Sequence, residues 1–265
     1  MRAKVWWACV RLGALHRFAY RMEVLSAVVS AAVVVFLNAS VWNAVVDGRP
    51  GLAGLSPVEV STYAVIAWIA TIVSATRLDE ILGARVRDGQ IATDLIKPLD
   101  LHLWLILRDL GRAGASAALT AAPVLVLAAS VFPFVWPSRV GSWLWVALSM
   151  VLATLIGGQL AFLIGLVAFR LKNVSGLAHF KASATAVLSG AVVPVQAMPD
   201  ALRDVVVWLP FQGMSHTPAM LFLEQLDGAG VTRALGVQAA WVVGLFLACR
   251  WSWARAIDHL TVQGG

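Results

Sequence analysis

Long apolar stretches alternate with short polar joints along this chain, and one polar stretch is much longer than the rest. Six apolar stretches, at about residues 24–46, 58–76, 113–134, 143–169, 182–195 and 235–249, carry no Asp, Glu, Lys, Arg or His away from their ends. A helix needs about 20 apolar residues to cross a ~30 Å hydrocarbon core. The pattern therefore predicts an all-α integral membrane protein with six transmembrane helices, forming one domain over residues 1–265. Asp47, Gly48, Arg49, Pro50 and Gly51 make a turn after the first span. Pro123 predicts a kink in the third, and Gly157, Gly158 and Gly165 mark close-packing points in the fourth. Pro194 breaks the fifth, and residues 200–209 form an amphipathic run too short to span again. Short helices at the outer surface, or a partial re-entry, are expected there.

Residues 1–23 carry Arg2, Lys4, Arg11, Arg17 and Arg21 against a single acid, Glu23, with Trp6, Trp7 and Phe18 interleaved. This predicts a helix in the membrane interface, its long cations reaching the headgroups. A signal peptide fits poorly, because the basic region is too long and the next apolar stretch suffices to span. Of 20 Lys and Arg, all but Arg49, Arg139, Arg203 and Arg233 fall on the side of the termini and of residues 78–112. The positive-inside rule places that side, with both termini, in the cytoplasm.

Composition sharpens the class. Hydrophobic residues make up 60% and charged residues 13%, against about 25% charged in a soluble domain. The net charge of +6 is scattered between spans, which suits membrane topology and argues against a nucleic-acid partner. Cys9 and Cys249 offer neither a disulfide framework nor metal-ligand spacing. Trp42, Trp136, Trp143 and Trp208 suit an outer aromatic belt, and His179 and His216 stand alone. The spans lack the buried ionisable groups that proton-coupled carriers use. Hydrolase motifs and a phosphate-binding loop ending Gly-Lys-Ser/Thr are absent from the sequence. The chain is expected to be no enzyme and to hold no cofactor or metal itself. Any uphill transport would draw its energy from a partner.

Within residues 78–112, Ile81, Leu82 and Val86 share one side of a short helix, and Asp88-Gly89 forms a turn. Ile91, Leu95 and Ile96 then recur at helical spacing until Pro98 stops the run. Such an apolar edge with a charged rim docks in a partner's groove. It equally suits a loop whose leucines rest on the membrane surface.

Gly89, Ile91, Leu95, Lys97, Pro98 and Leu99 together resemble the signature of the ABC-2-type transporter permeases, in their multidrug- and viologen-exporter-like branch. The run from Ser189 through Gly190 to Pro194, then Met198-Pro199 and Trp208-Leu209-Pro210-Phe211, is similar to the family's outer gate between spans five and six. The tail Val262-Gln263-Gly264-Gly265 resembles the branch's ending. The resemblance implies a permease subunit of an ATP-driven exporter in a bacterial inner membrane, moving a small amphiphilic or cationic substrate outward by alternating access. It implies pairing with an identical or paralogous six-span permease, and separate ABC ATPase subunits carrying ATP and Mg. A cytoplasmic coupling helix would follow span two, with Glu80, Ile81, Arg85, Arg87, Gly89, Ile91, Leu95, Lys97 and Pro98 as its coupling residues. Pro194, Pro199, Pro210 and Phe211 would form the outer gate. Asn38, Ser40 and Asn43, with Ser183, Thr185 and Ser189, either line the substrate path or make ordinary interhelical hydrogen bonds. Two readings from other classes stay open: a membrane anchor recruiting a cytoplasmic partner, and an ion-coupled secondary carrier.

Overall fold

In lipid every backbone N–H and C=O has to be satisfied within its own segment, which drives apolar stretches of this length into helices. The computed structural model describes residues 2–48, 52, 54–97, 99–171 and 174–258. Among them the helices are α1 (Arg2–Ala19), α2 (Arg21–Val46), α3 (Pro57–Ser74), α4 (Leu78–Arg87), α5 (Gln90–Leu95), α6 (Leu101–Ser116), α7 (Ala122–Val131), α8 (Val140–Leu166), α9 (Ser175–Leu188), α10 (Asp200–Val206), α11 (Gln212–Phe222) and α12 (Gly228–Asp258). Five stretches among the described residues are long and apolar enough to cross a membrane: Arg21–Val46, Pro57–Arg87, Leu101–Val131, Val140–Phe169 and Gly228–Ile257.

The centre of the bundle is α3 packed beside α8. From Val60 to Ala67 every residue of α3 is buried, as expected of a helix with neighbours on all sides. Its start is fixed by a capping box: Ser56 accepts from the Glu59 amide, and the Glu59 carboxylate accepts from the Ser56 amide at 2.7 Å. The glycines of α8 sit at close approaches, as the sequence predicts. A Cβ on Gly157 would stand 2.8 Å from the Ser74 carbonyl oxygen, and one on Gly165 would stand 2.9 Å from Leu82 Cβ. Around this centre α2 and α12 lie at the periphery and leave much of their apolar surface uncovered, including Leu25, Val33, Val243 and Leu247.

Three details go beyond the sequence pattern. The third long helix begins at Leu101, not near residue 113, so residues 101–112 belong to the bundle. Their charges hid this: Arg112 and Asp109 pair within α6 at 2.6 Å, and Asp100 caps the helix by accepting from the Leu103 amide at 3.0 Å. α1 is a helix, as expected, but it packs antiparallel along α6. Gly13 lies against the Arg108 carbonyl and Gly111 against the Val10 carbonyl, so close that a Cβ on either would fall 1.8 Å from the oxygen. The helix continues through Pro123. A π-helical turn over Ala117–Ala121 precedes it and widens the ladder where an α-turn would drive the ring into the Leu119 carbonyl.

The fifth apolar stretch forms α9, whose 14 residues extend about 21 Å. This falls short of a ~30 Å core. After a break at Ser189 the chain passes through a 3-10 turn (Val195–Ala197) and α10 into α11. α11 does not lie on a surface. Its Ser215 hydroxyl sits 2.8 Å from that of Thr71, near the Ser74 end of α3, while Phe222 packs with Val46, Leu55 and Val60 at the other end. It is inserted between α3 and α8, because its few polar groups find partners inside the bundle. α10 leaves Leu202 and Val205 exposed.

Candidate functional site

One end of the bundle carries the α4–α5 hairpin. α4 buries Leu78, Asp79, Leu82 and Gly83, with Leu82 seated under Gly165 of α8. Asp79 pairs with Lys181 of α9 at 2.6 Å, both side chains being largely buried, which ties the hairpin to the broken helix. Gly89 turns the chain at φ +71°, a left-handed conformation that costs glycine little. α5 then folds back on α4 through the Asp94 carboxylate, which accepts from Arg85 and, at 2.7 Å, from the Lys97 ammonium. Burial works to raise the Asp94 pKa, but the Lys97 and Arg85 hydrogen bonds and charges outweigh it and hold the carboxyl below its usual range. Arg85 also lies over the Trp104 ring, 5.0 Å from its centroid.

The hairpin sorts the expected coupling residues. Ile91 is 3% exposed and packs with Leu78, Leu82, Leu105 and Trp253, so it anchors the hairpin and offers no outer surface. The sequence pattern put Ile91 and Leu95 on one docking edge. In a six-residue helix one end of that stripe passes under α4 while the other emerges. The exposed apolar side chains are Ile81 (40%), which lines a cavity beside α1 and α6, and Leu95 (39%) and Ile96 (81%) at the end of α5, with Arg87 and Lys97 as nearby exposed cations. Glu80 pairs with Arg77 at 2.6 Å. Pro98, like Arg49, Lys172 and the 262–265 tail motif, lies outside the described residues. Asp94 and Asp79, which brace the hairpin, were missed; Lys97 three residues after Asp94 was the available signal.

Toward the other end, the break after α9 is held by side chains from three helices. Gly190 has φ +84° and leaves room for the Tyr63 hydroxyl, which donates to the Gly190 carbonyl at 3.2 Å and lies 3.0 Å from His216 Nδ1. The His216 amide donates to the Ser189 carbonyl at 3.0 Å. Trp42 and Asn38 both donate to the Val192 carbonyl, at 2.9 and 3.4 Å. Trp42 and Asn38 thus anchor the break through the same carbonyl. Pro194 is buried, and Pro199 is exposed just before α10. Pro210 and Phe211 form the turn into α11, Pro210 buried and Phe211 half-buried. Near the start of α8, Glu224 accepts from the Ser138 hydroxyl at 2.6 Å, the Ser142 hydroxyl at 2.7 Å and the Arg139 amide at 2.9 Å. These bonds lower its pKa to about 2. Gln238 joins three helices, donating to the Gly213 carbonyl at 2.6 Å and accepting from Ser149 at 3.0 Å. Sequence reasoning identified neither residue.

The substrate-path candidates do not share one surface. Asn43 donates to the Ala39 carbonyl and to Ser61. Ser183 is exposed and Thr185 buried, as a two-residue spacing on a helix dictates. Ser189 is fully buried at the break, and its hydroxyl has no partner among the described residues. Thr185 does meet Thr71, Ser74 and Met214 around a cavity of about 200 Å³ between α3, α8, α9 and α11.

Charged groups gather at the helix ends while the bundle between them is sealed by apolar packing and short polar bonds, which is the build of a multi-pass helical membrane protein. The sequence profile of the ABC-2 family transporter proteins matches residues 32–264, and the chain belongs to that family. Membership makes it a membrane permease component of an ABC transporter, a class that works with an ABC ATPase. No curated protein and no solved structure matches the chain significantly.

Proposed function

We propose that this chain is the permease subunit of an ATP-driven exporter and that the α4–α5 hairpin is where the ATPase docks. The observation that carries the reading is the pair Leu95 and Ile96, exposed at the end of a hairpin that is held by the Asp94 contacts, the buried Ile91 and the Asp79–Lys181 pair. An apolar edge on a stiff support transmits a push from a partner; on a loose loop the same push would be absorbed. Two permeases pair in the membrane, the hairpin end faces the cytoplasm, and α9 with α11 completes the sixth crossing. The cargo is a small amphiphilic or cationic molecule, in keeping with the lack of fixed charge in the apolar stretches. The Gly190 break, with Pro194, Pro199, Pro210 and Phe211, forms the outer gate.

The chain, tagged and purified from its native membrane, is expected to bring an ABC ATPase with it. Leu95→Asp and Ile96→Asp should insert and fold normally but lose that ATPase and its permease-stimulated hydrolysis. If both variants retain the ATPase at the wild-type level, the hairpin is not the dock. Transport of a dye and drug panel in reconstituted vesicles tests the cargo class.

A further inference from the structure

Lys181 stands on a helix that touches the bundle lightly. Of the 14 residues of α9 only Ala178 and Thr185 are buried, while Leu177, Phe180 and Val187 are exposed. Ala178, Lys181, Ala182 and Thr185 recur at i, i+3, i+4 and i+7 and so share one face. That face lines the cavity of about 200 Å³, with Thr71 and Met214 among the residues of α3 and α11 that complete it. The first half of α9 is held from the side, by α4. Val174 fits over Gly83, its Cγ2 2.7 Å from where a Cβ would stand, and the Lys181 ammonium meets the Asp79 carboxylate at 2.6 Å. Beyond Thr185 the hold passes to the break, where the Ser189 and Gly190 carbonyls accept from the His216 amide and the Tyr63 hydroxyl.

Two ion pairs line this cavity, and they differ in kind. Arg77–Glu80 lies within one turn of a single segment, with Arg77 exposed, and such a pair holds little. Asp79–Lys181 joins two elements, with side chains 2% and 14% exposed, so losing either partner strands a buried charge. The other Asp79 oxygen accepts from the Glu80 amide at 3.0 Å, which fixes the carboxylate to α4. A displacement of α4 therefore moves Asp79, and the charge on Lys181 has to follow it. We propose that this pair couples the hairpin to the cavity: α9 follows Asp79, so the position of α4 sets how far the cavity is open. That an ATPase is what moves α4 rests on the docking reading above; that the pair holds α9 does not.

The reporter is Thr185→Cys in the full chain, since both native cysteines are buried. Its labelling by a water-soluble maleimide is followed first without any ATPase. Lys181→Met should speed labelling about tenfold and raise amide exchange over residues 175–182, with residues 189–192 unchanged. Lys181→Arg should stay near the wild-type rate. The double variant Asp79→Asn with Lys181→Met strands no charge, so it carries the test even where the single change misfolds, and it should label as fast as Lys181→Met. Wild-type labelling and exchange in the double variant overturn the proposal. Next, the co-purified ABC ATPase and a non-hydrolysable ATP analogue should change the rate in the wild-type background and leave the double variant unmoved. An equal response in both means that the movement travels by another route, which also overturns it. Failure of the ATPase to bind the wild-type pair counts against the docking reading alone, and the labelling without ATPase still decides whether the pair holds α9.

Discussion

Gly190 shows how much a single position decides here. A Cβ at that point would fall 2.6 Å from the Tyr63 hydroxyl oxygen, on a backbone that side chains rarely adopt. The left-handed backbone alone costs about 1–3 kcal/mol, so Gly190→Ala should lower the thermal midpoint by several degrees. Tyr63→Phe keeps the packing and removes one hydrogen bond, and should cost only about 1 kcal/mol. Glu224 supplies a pH test. Its folded pKa of about 2 lies below the usual 4.5, so its contribution is complete above about pH 4.5 and is lost as pH falls toward 2. Glu224→Gln should remove that acid-dependent part when unfolding midpoints are compared across pH. Gly190 and Pro194 were legible as helix breakers, but Tyr63 and Trp42 were not. An aromatic residue inside an apolar run looks the same whether it faces lipid or donates to a carbonyl that the break has freed.

Among elements, the α4–α5 hairpin was legible in outline and misread in detail. Helical spacing located Ile91, Leu95 and Ile96 correctly as apolar positions, yet it could not say which of them α4 would cover. Ile91→Asp should therefore disrupt the fold of this end, whereas Ile96→Asp should not. Asp94→Asn removes the charge that holds Arg85 and Lys97 and should loosen α5 by about 1–3 kcal/mol, read as faster amide exchange over residues 90–96 with the long helices unchanged. The pairing of α1 with α6 gives a sharper test. Gly111→Val would push a side chain into the Val10 carbonyl and should release α1 while α2 to α12 remain assembled, seen as protease sensitivity confined to the first 20 residues. No sequence pattern foretold this contact, because the two glycines lie far apart in the chain and each alone reads as a flexible point.

For the molecule as a whole, hydropathy placed the long helices well, since length and apolarity are what a membrane demands. It failed where a helix is short, as in α9 and α11, or charged but enclosed, as in the first turns of α6. Orientation is open to direct measurement in cells. The two native cysteines are buried, so introduced ones can be labelled against a low background. Thr93→Cys should be shielded from a membrane-impermeant maleimide added outside, and Asp204→Cys should react. The π turn at Ala117–Ala121 has a consequence of its own. Before it the Leu101–Val131 helix presents Gly111 to α1; beyond it Val124 and Ala128 pack with Ala31 and Val35 of α2 and Val65 of α3. The extra residue sets the angle between these two faces, like the offset of two blades on one shaft. Inserting an alanine after Ala118, with the π turn kept, should put the two halves out of phase by about 100°, so that the helix holds either α1 or α2 but not both.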